Sequence, residues 1–227
     1  MRRAASPRGW SWRLLVLGTL LFALIRPMSG CSDTTATAPQ QRIAESTATH
    51  PITPRAAALV VAARRQIGVT VSYDPAYTRI PYPNGDVPAS HGVCTDVVIR
   101  ALRTQNIDLQ QRVHEDMRAH FATYPQKWRL RGPDRNIDHR RVPNLQTWFS
   151  RQGWSVAVTE RAEDYRAGDI VTWMLPGNLP HIGIVSDRST TLRRAPLIIH
   201  NIGRGTQEND ILFDHKITGH YRPKPLR

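Results

Sequence analysis

From Thr53 onward, apolar residues recur at two different periods, and the change of period organises the chain. Ala56, Leu59, Val60, Ala63 and Ile67 repeat at the spacing of one helix face. Thr53 suits the N-cap, Pro54 the first helical position and Gly68 the stop. A second stripe, Val97, Val98, Ala101 and Leu102, predicts a helix starting at Cys94. A third, Leu109, Val113, Met117 and Phe121, follows Asp108 and Gln111, which have the spacing of a capping box. Leu145, Trp148 and Phe149 predict a short helix ended by Gly153.

Beyond Gly153 the period shortens. "WSVAV", "DIVTWML", "HIGIVSD", "PLIIHNI" and "ITGHYR" are brief β-rich runs between Gly, Pro and charged turns. Helices first and strands later predict one α+β domain, with N-terminal helices packed on a small antiparallel sheet. Two stretches show neither period. Residues 72–92, dense in Pro, Gly, Asp and Asn, predict a long ordered loop, and residues 131–144 are charged and irregular. There is no internal repeat.

The N-terminus has a different texture. Residues 1–13 are basic, and "LLVLGTLLFALI" (14–25) is an apolar run too short to span a bilayer, as in a signal peptide. "MSGC" (28–31) then resembles a bacterial lipobox, which implies acylation of Cys31, anchoring by two or more acyl chains and, with Ser32 next, the outer membrane. The alternative is a soluble periplasmic protein cut nearby. Residues 1–31 therefore read as a lipoprotein-type signal peptide. Residues 32–52, rich in Thr, Ala, Pro and Gln, read as a flexible tether, and 53–227 as the domain.

Charge changes the picture only modestly. The net +13 falls to +8 once the five arginines of residues 1–31 are set aside, leaving 26 basic against 18 acidic residues. Such a surface favours anionic partners. In the periplasm these are membrane lipid and cell-wall polymer, and the reading adopted has no nucleic acid, no cofactor and no metal.

Export also means an oxidising compartment, where a lone thiol is a liability. With Cys31 lipidated, Cys94 has no internal disulfide partner. Its setting offers a reason for it. Cys94 opens a helix, His181 opens a strand in "LPHIGIVSD", and His200 ends the next strand in "PLIIHNIG". A thiolate nucleophile needs its ordinary pKa of about 8.5 lowered, and a helix N-terminus and a nearby imidazolium both lower it. His181 would take the thiol proton and pass it to a leaving amine, His200 would orient that ring, and the Cys94 backbone N–H would serve an oxyanion hole. Competing readings are a buried structural thiol and, from the His91–Cys94 spacing, a zinc site.

"GVCTDVVIRAL", "AGDIVTWMLPGNLPHIGIVSD" and "IIHNIGRGTQENDIL" resemble the NlpC-type branch of papain-fold cysteine hydrolases. They resemble still more an exported bacterial family called domain of unknown function 1287, over about residues 55–223. In the branch a catalytic cysteine begins a helix, as Cys94 does. A "GD-hydrophobic" strand (168–171) precedes an "H-x-G-hydrophobic" strand (181–184), and a third polar residue matches His200. A tyrosine twelve residues before the cysteine lines the site, an offset met by Tyr82. "D-C-S-G" is replaced by Val93-Cys94-Thr95-Asp96, and Asp138-His139-Arg140-Arg141 has no counterpart in the branch.

The resemblance implies a papain-like (NlpC-type) α+β fold and a cysteine amidase or endopeptidase with a Cys94–His181–His200 triad, cleaving amide bonds in peptidoglycan stem peptides. Arg140 and Arg141, with Asp138 and His139, are candidates to hold a stem-peptide carboxylate, or else form a solvated basic turn. The alternatives are a non-catalytic wall-binding lipoprotein and a lipid acyltransferase or thioesterase on the same fold.

Overall fold

The computed structural model describes residues 43–45, 51–191 and 194–226. The segment read as a signal peptide, Cys31 and most of the segment read as a tether lie outside the described residues. Among those described, no helix is long and apolar enough to cross a membrane. In chain order the elements are β1 (Ile43–Glu45), α1 (Pro54–Arg64), β2 (Ser72–Tyr73), β3 (His91–Gly92), α2 (Cys94–Arg103), α3 (Leu109–His120), α4 (Val142–Arg151), β4 (Ser155–Val156), β5 (Ile170–Leu175), β6 (Leu179–Thr190), β7 (Pro196–Asn201), β8 (Thr206–Asn209) and β9 (Lys216–Tyr221).

The architecture is α+β. One sheet runs β4–β9–β5–β6–β7–β8, and every pairing in it is antiparallel. A separate two-stranded parallel ladder joins β2 to β3. Strand β6 is longer than its neighbours, and its far end, Arg188–Thr190, pairs with β1. Part of the stretch expected to be tether is therefore a strand. A backbone edge left open by β6 is a template for such pairing.

The helix starts follow the sequence closely. Thr53 Oγ1 accepts the Ala56 N–H at 3.2 Å, and Asp108 Oδ1 accepts that of Gln110 at 3.0 Å. Each such cap contributes about 1 kcal/mol. Gln111 does not complete a capping box; its amide donates to Glu115 instead. Ile67 falls past the end of α1 and is exposed, because the chain turns at Gly68 with φ +78°.

Both faces of the sheet are covered. Leu59, Val98, Leu102, Leu109, Val113 and Leu145 pack on Ile170, Ile182, Ile184 and Ile199. On the opposite face Val171, Trp173, Val185 and Ile198 form a smaller core with Tyr165 and Leu212. This is the period-2 alternation of β5–β7 made visible: neighbouring residues enter different cores. An aromatic stack closes the helical side. Phe149 lies flat on Trp154 at 5.4 Å, and Trp148 meets the same indole edge-on at 5.3 Å.

A buried cysteine and a histidine pair

The chain approaches the site extended and turns helical at Cys94. Val93 is in the β region (φ −114°, ψ −179°), and Cys94 is the first residue of α2. Val93 has no side chain able to cap the helix. Asp96 supplies the missing group from inside the first turn: its Oδ2 accepts the Val93 N–H at 2.7 Å. A carboxylate there also suits the positive end of the helix dipole. The segment before it is tied to the sheet from two directions. Gly92 pairs with Tyr73 in the β2–β3 ladder, and Asn201, at the end of β7, donates its side-chain amide to the Gly92 carbonyl at 3.0 Å.

His181 and His200 meet on the sheet. Gly183 stands directly opposite His200 across the β6–β7 ladder, and His181 lies two residues away on the same face. The rings meet diagonally, edge to face, with His181 Nε2 3.1 Å from His200 Nδ1. This explains the glycine in "HIG". A Cβ on Gly183 would sit 2.6 Å from Ile198 Cγ2 and 3.1 Å from His200 Cβ. Trp173, paired with His181 on β5, closes the other side of the ring at 5.8 Å.

The Cys94 sulfur faces the backbone N–H of Ile182, next to His181, as well as the N–H groups of Thr95 and Cys94 itself. No side-chain hydrogen bond joins Cys94 to His181 among the described residues, and all three groups are shut from water, at 5%, 2% and 0% exposure for Cys94, His181 and His200. Burial dominates their protonation. It pushes the Cys94 thiol up to about 12, with Asp96 adding to the rise and the three backbone N–H groups opposing it. It pulls His181 down to about 3, helped by the charges of His200 and His215. His200 falls to about 4, again through burial; Asn209 opposes this, although His200 Nε2 closes no hydrogen bond by geometry. The sequence led to a thiol of lowered pKa. In this buried setting the desolvation cost outweighs the helix and backbone dipoles, and the thiol and both imidazoles rest neutral.

Several expected site residues lie elsewhere. Tyr82 packs on His114 at 5.4 Å with the Arg135 guanidinium over its ring at 5.6 Å. The tyrosine at Cys94 is Tyr73, whose hydroxyl is pushed up to about 12 by burial and then by the Cys94 and Asp96 charges. Tyr82, at the offset of twelve residues, sits within the 72–92 loop, whereas Tyr73 pairs with Gly92 at the return of that loop through β3, two residues before Cys94.

Arg140 and Arg141 are engaged rather than free for substrate. Arg140 grips Asp96 with two nitrogens, Nε at 3.0 Å and Nη2 at 2.9 Å, and its side chain is 3% exposed. Arg141 pairs with Asp138 at 2.8 Å and lies over Trp128 at 4.1 Å. His139 is buried, its pKa pulled down to about 3 by that burial and the Arg140 charge. The irregular 138–141 segment is therefore a short buried 3-10 turn that braces α2: Thr95 Oγ1 donates to the Arg140 carbonyl at 3.2 Å. His91, the other half of the zinc-like spacing, is exposed and hydrogen-bonded to Ser90.

The sequence reading missed Asp96, Tyr73 and Asn201. Only Asp96 carried a local signal, as an acid in the first turn of a helix whose N-cap is apolar. A cavity of about 1220 Å³ lies away from Cys94, lined by Arg55, Arg166, Arg222 and the β6 residues 186–190. It contains none of the three groups described above. The chemistry of the cysteine and histidines, not cavity size, marks the candidate site.

Fold and site define an α+β protein with a buried cysteine at the first position of a helix and a buried histidine pair on the antiparallel sheet that helix packs on. Residues 60–223 match the family described as "Domain of unknown function (DUF1287)", and the chain belongs to that family. It is similar to the uncharacterized protein YijF of Escherichia coli (strain K12), with 58% identity over 165 residues, which cover 73% of this chain and 80% of that protein. No solved structure matches.

Proposed function

We propose that the protein is a cysteine-dependent amide hydrolase of NlpC-like, papain-type architecture, acting on peptide amide bonds of the cell wall. The observation that carries the reading is the His181 Nε2–His200 Nδ1 contact at 3.1 Å, together with the helix-opening Cys94 sulfur facing the backbone N–H of Ile182, the residue after His181. The hydrolase reading uses one of the two tautomers that this contact allows. If His181 donates from Nε2 to His200, its Nδ1 keeps the lone pair that a base toward Cys94 requires. His200 then acts through His181, holding that tautomer and orientation.

The steps follow from these groups. Substrate entry brings polar atoms to the closed site, and the Cys94 proton passes to His181 Nδ1. The thiolate adds to the amide carbonyl, and the N–H groups at the start of α2 face the developing oxyanion. The C–N bond breaks as His181 returns the proton to the departing amine, leaving a thioester on Cys94. Water, deprotonated by His181, then releases the acid and restores the thiol.

The export reading places this chemistry at the wall, and the net positive charge suits an anionic polymer there. Acylation of Cys31 would hold the domain at the membrane. The test is mass spectrometry of purified muropeptides incubated with the protein. The expected result is fragments that gain the mass of one water per bond cut, absent with Cys94→Ala and insensitive to EDTA. Cleavage that survives Cys94→Ala overturns the reading. If EDTA abolishes cleavage and iodoacetamide does not, a metal reading replaces it.

A further inference from the structure

The cavity of about 1220 Å³ is lined by the start of α1, the 162–169 segment, β6 residues 186–190 and the C-terminal segment 222–225. Two of these walls are packed hard together: at Gly168 (φ +84°) a Cβ would sit 2.9 Å from Ala56 Cβ and 3.0 Å from Ala56 Cα. Six cations line the cavity, Arg55, Arg166, Arg188, Arg194, Arg222 and Lys224, against three carboxylates, Glu163, Asp169 and Asp187. Each carboxylate is already paired. Arg222 grips Asp169 with two nitrogens, at 2.8 and 2.7 Å. Arg161 holds Glu163 at 2.9 Å and Arg64 holds Asp187, and neither of these arginines belongs to the lining. Arg188 meets Glu208 at 3.3 Å. Among the described residues no ion pair closes on Arg55, Arg194 or Lys224, and the Lys224 ammonium donates only to the Gly153 carbonyl. The cavity therefore holds positive charge that the fold itself does not neutralise, and such a cleft concentrates anions.

Arg55 is the anomalous member. It stands in the first turn of α1, where the helix dipole favours acids, and that turn has none. Its Nε is shut from water with no hydrogen-bond partner among the described residues. A cation set against the dipole and a buried donor left open both cost stability. An anion in the cavity offsets both. The volume is that of a pocket for an organic ligand, far beyond what a simple ion needs. Part of the lining is apolar, with Ile52, Leu59, Tyr165, Pro196 and Pro223. A carboxylate would bring one negative charge to three open cations, whereas a phosphate monoester brings about 1.5 to 2 and accepts the guanidinium fork.

We propose that this cavity binds an amphipathic organic phosphate, with its phosphate on Arg55 and its aliphatic body against the apolar lining. Arg194 and Lys224, both exposed, add to the field that draws the anion in. The site contains none of Cys94, His181 and His200, and it stands whether or not the hydrolase reading does.

The test titrates dihexanoyl phosphatidic acid, kept below its critical micelle concentration, into the full chain by calorimetry. Inorganic phosphate supplies the head alone, and dihexanoyl phosphatidylcholine supplies the same tails without net charge. The phosphatidic acid should bind, and each of the other two probes should bind at least about tenfold more weakly. Arg55→Gln should lower the affinity for phosphatidic acid at least about tenfold, while its thermal midpoint holds or rises because a cation leaves the positive end of α1. A merely structural arginine gives the opposite pattern, a lower midpoint with affinity following the folded fraction. Should Arg55→Gln fail to fold, Arg194→Gln/Lys224→Gln decides, since both side chains are exposed, and its affinity should fall at least about threefold. No binding of phosphatidic acid overturns the inference. So does inorganic phosphate or phosphatidylcholine binding as tightly, or an affinity unchanged in the deciding variant.

Discussion

Arg140 closes two hydrogen bonds on Asp96, at 3.0 and 2.9 Å, across 44 residues of sequence, and both side chains are nearly excluded from solvent. Asp96 in turn holds the Val93 N–H, so this ion pair fixes the turn on which Cys94 stands. Removing one partner leaves a buried charge alone, typically a loss of about 3–5 kcal/mol. Asp96→Ala and Arg140→Ala should each lower the chemical denaturation midpoint strongly. An Asp96→Ala/Arg140→Met variant should recover part of that loss, because no charge stays buried. A double variant no more stable than the sum of the singles would show that the pair does not act as a unit.

Gly183 is held to a hydrogen side chain by its neighbour across the sheet. Gly183→Ala would place Cβ 2.6 Å from Ile198 Cγ2 and 3.0 Å from the Ile199 carbonyl, neither of which is the free end of a flexible chain. The expected cost is about 1–3 kcal/mol of stability, as for overpacking elsewhere. Turnover should drop further than stability, since the same Cβ presses on His200 Cβ at 3.1 Å. Denaturation and kinetics on one preparation separate the two effects; equal stability and turnover in Gly183→Ala would count against the crowding argument.

The sequence was informative where physics is local. Helix periodicity, the Thr53 and Asp108 caps and the alternating strands are all set by neighbours within one element, and all appear in the structure. Non-local pairings were hidden. Strands β1 and β8 form because β6 and β7 offer edges, not because of their own short sequences. Arg140 and Arg141 look like a solvated basic turn until Asp96 and Asp138 arrive from α2 and the turn itself. Tyr73 replaces Tyr82 for the same reason: which loop residue returns to the thiol is decided by the β2–β3 ladder. Burial, which raises the Cys94 thiol here, is not visible in a sequence, whereas its position at a helix start is.

Three buried histidines make the fold sensitive to acid. His139, His181 and His200 are held neutral by burial, down to about 3, about 3 and about 4. In the unfolded chain each titrates near ~6.5. Below that value the unfolded state binds protons that the folded state refuses, so stability falls with falling pH. Each histidine contributes on the order of 1 kcal/mol per pH unit between about pH 6.5 and about pH 4. Asp138 acts in the opposite sense, since burial raises its pKa. Urea unfolding at pH 8, 6 and 5 should show a steep decline, shallower in His139→Gln. A midpoint that is constant or rising toward pH 5 would contradict the buried-neutral assignment.

The reactivity of Cys94 separates the roles of the three site residues. Iodoacetamide attacks the thiolate, so its rate follows the thiolate fraction and the access to it. With the thiol pushed up to about 12, alkylation of the wild type at neutral pH should be slow, with its inflection above the ~8.5 of a free cysteine. His181→Ala removes the proposed base, and turnover should fall by about 10²–10⁴. The same change takes an imidazole out of a closed site and admits water to the sulfur, which lowers the desolvation cost. Alkylation of His181→Ala should therefore be faster than that of the wild type while turnover collapses. His200→Ala should cost most of the turnover, and His200→Asn or His200→Gln should retain part of it by keeping a hydrogen-bonding group against His181. A purely structural pair of histidines gives a different pattern, with turnover following stability in every variant and no distinction between His200→Asn and His200→Ala. An inflection well below ~8.5 in the wild type would show instead that the thiol and imidazole rest as an ion pair, and the closed neutral state would have to be abandoned.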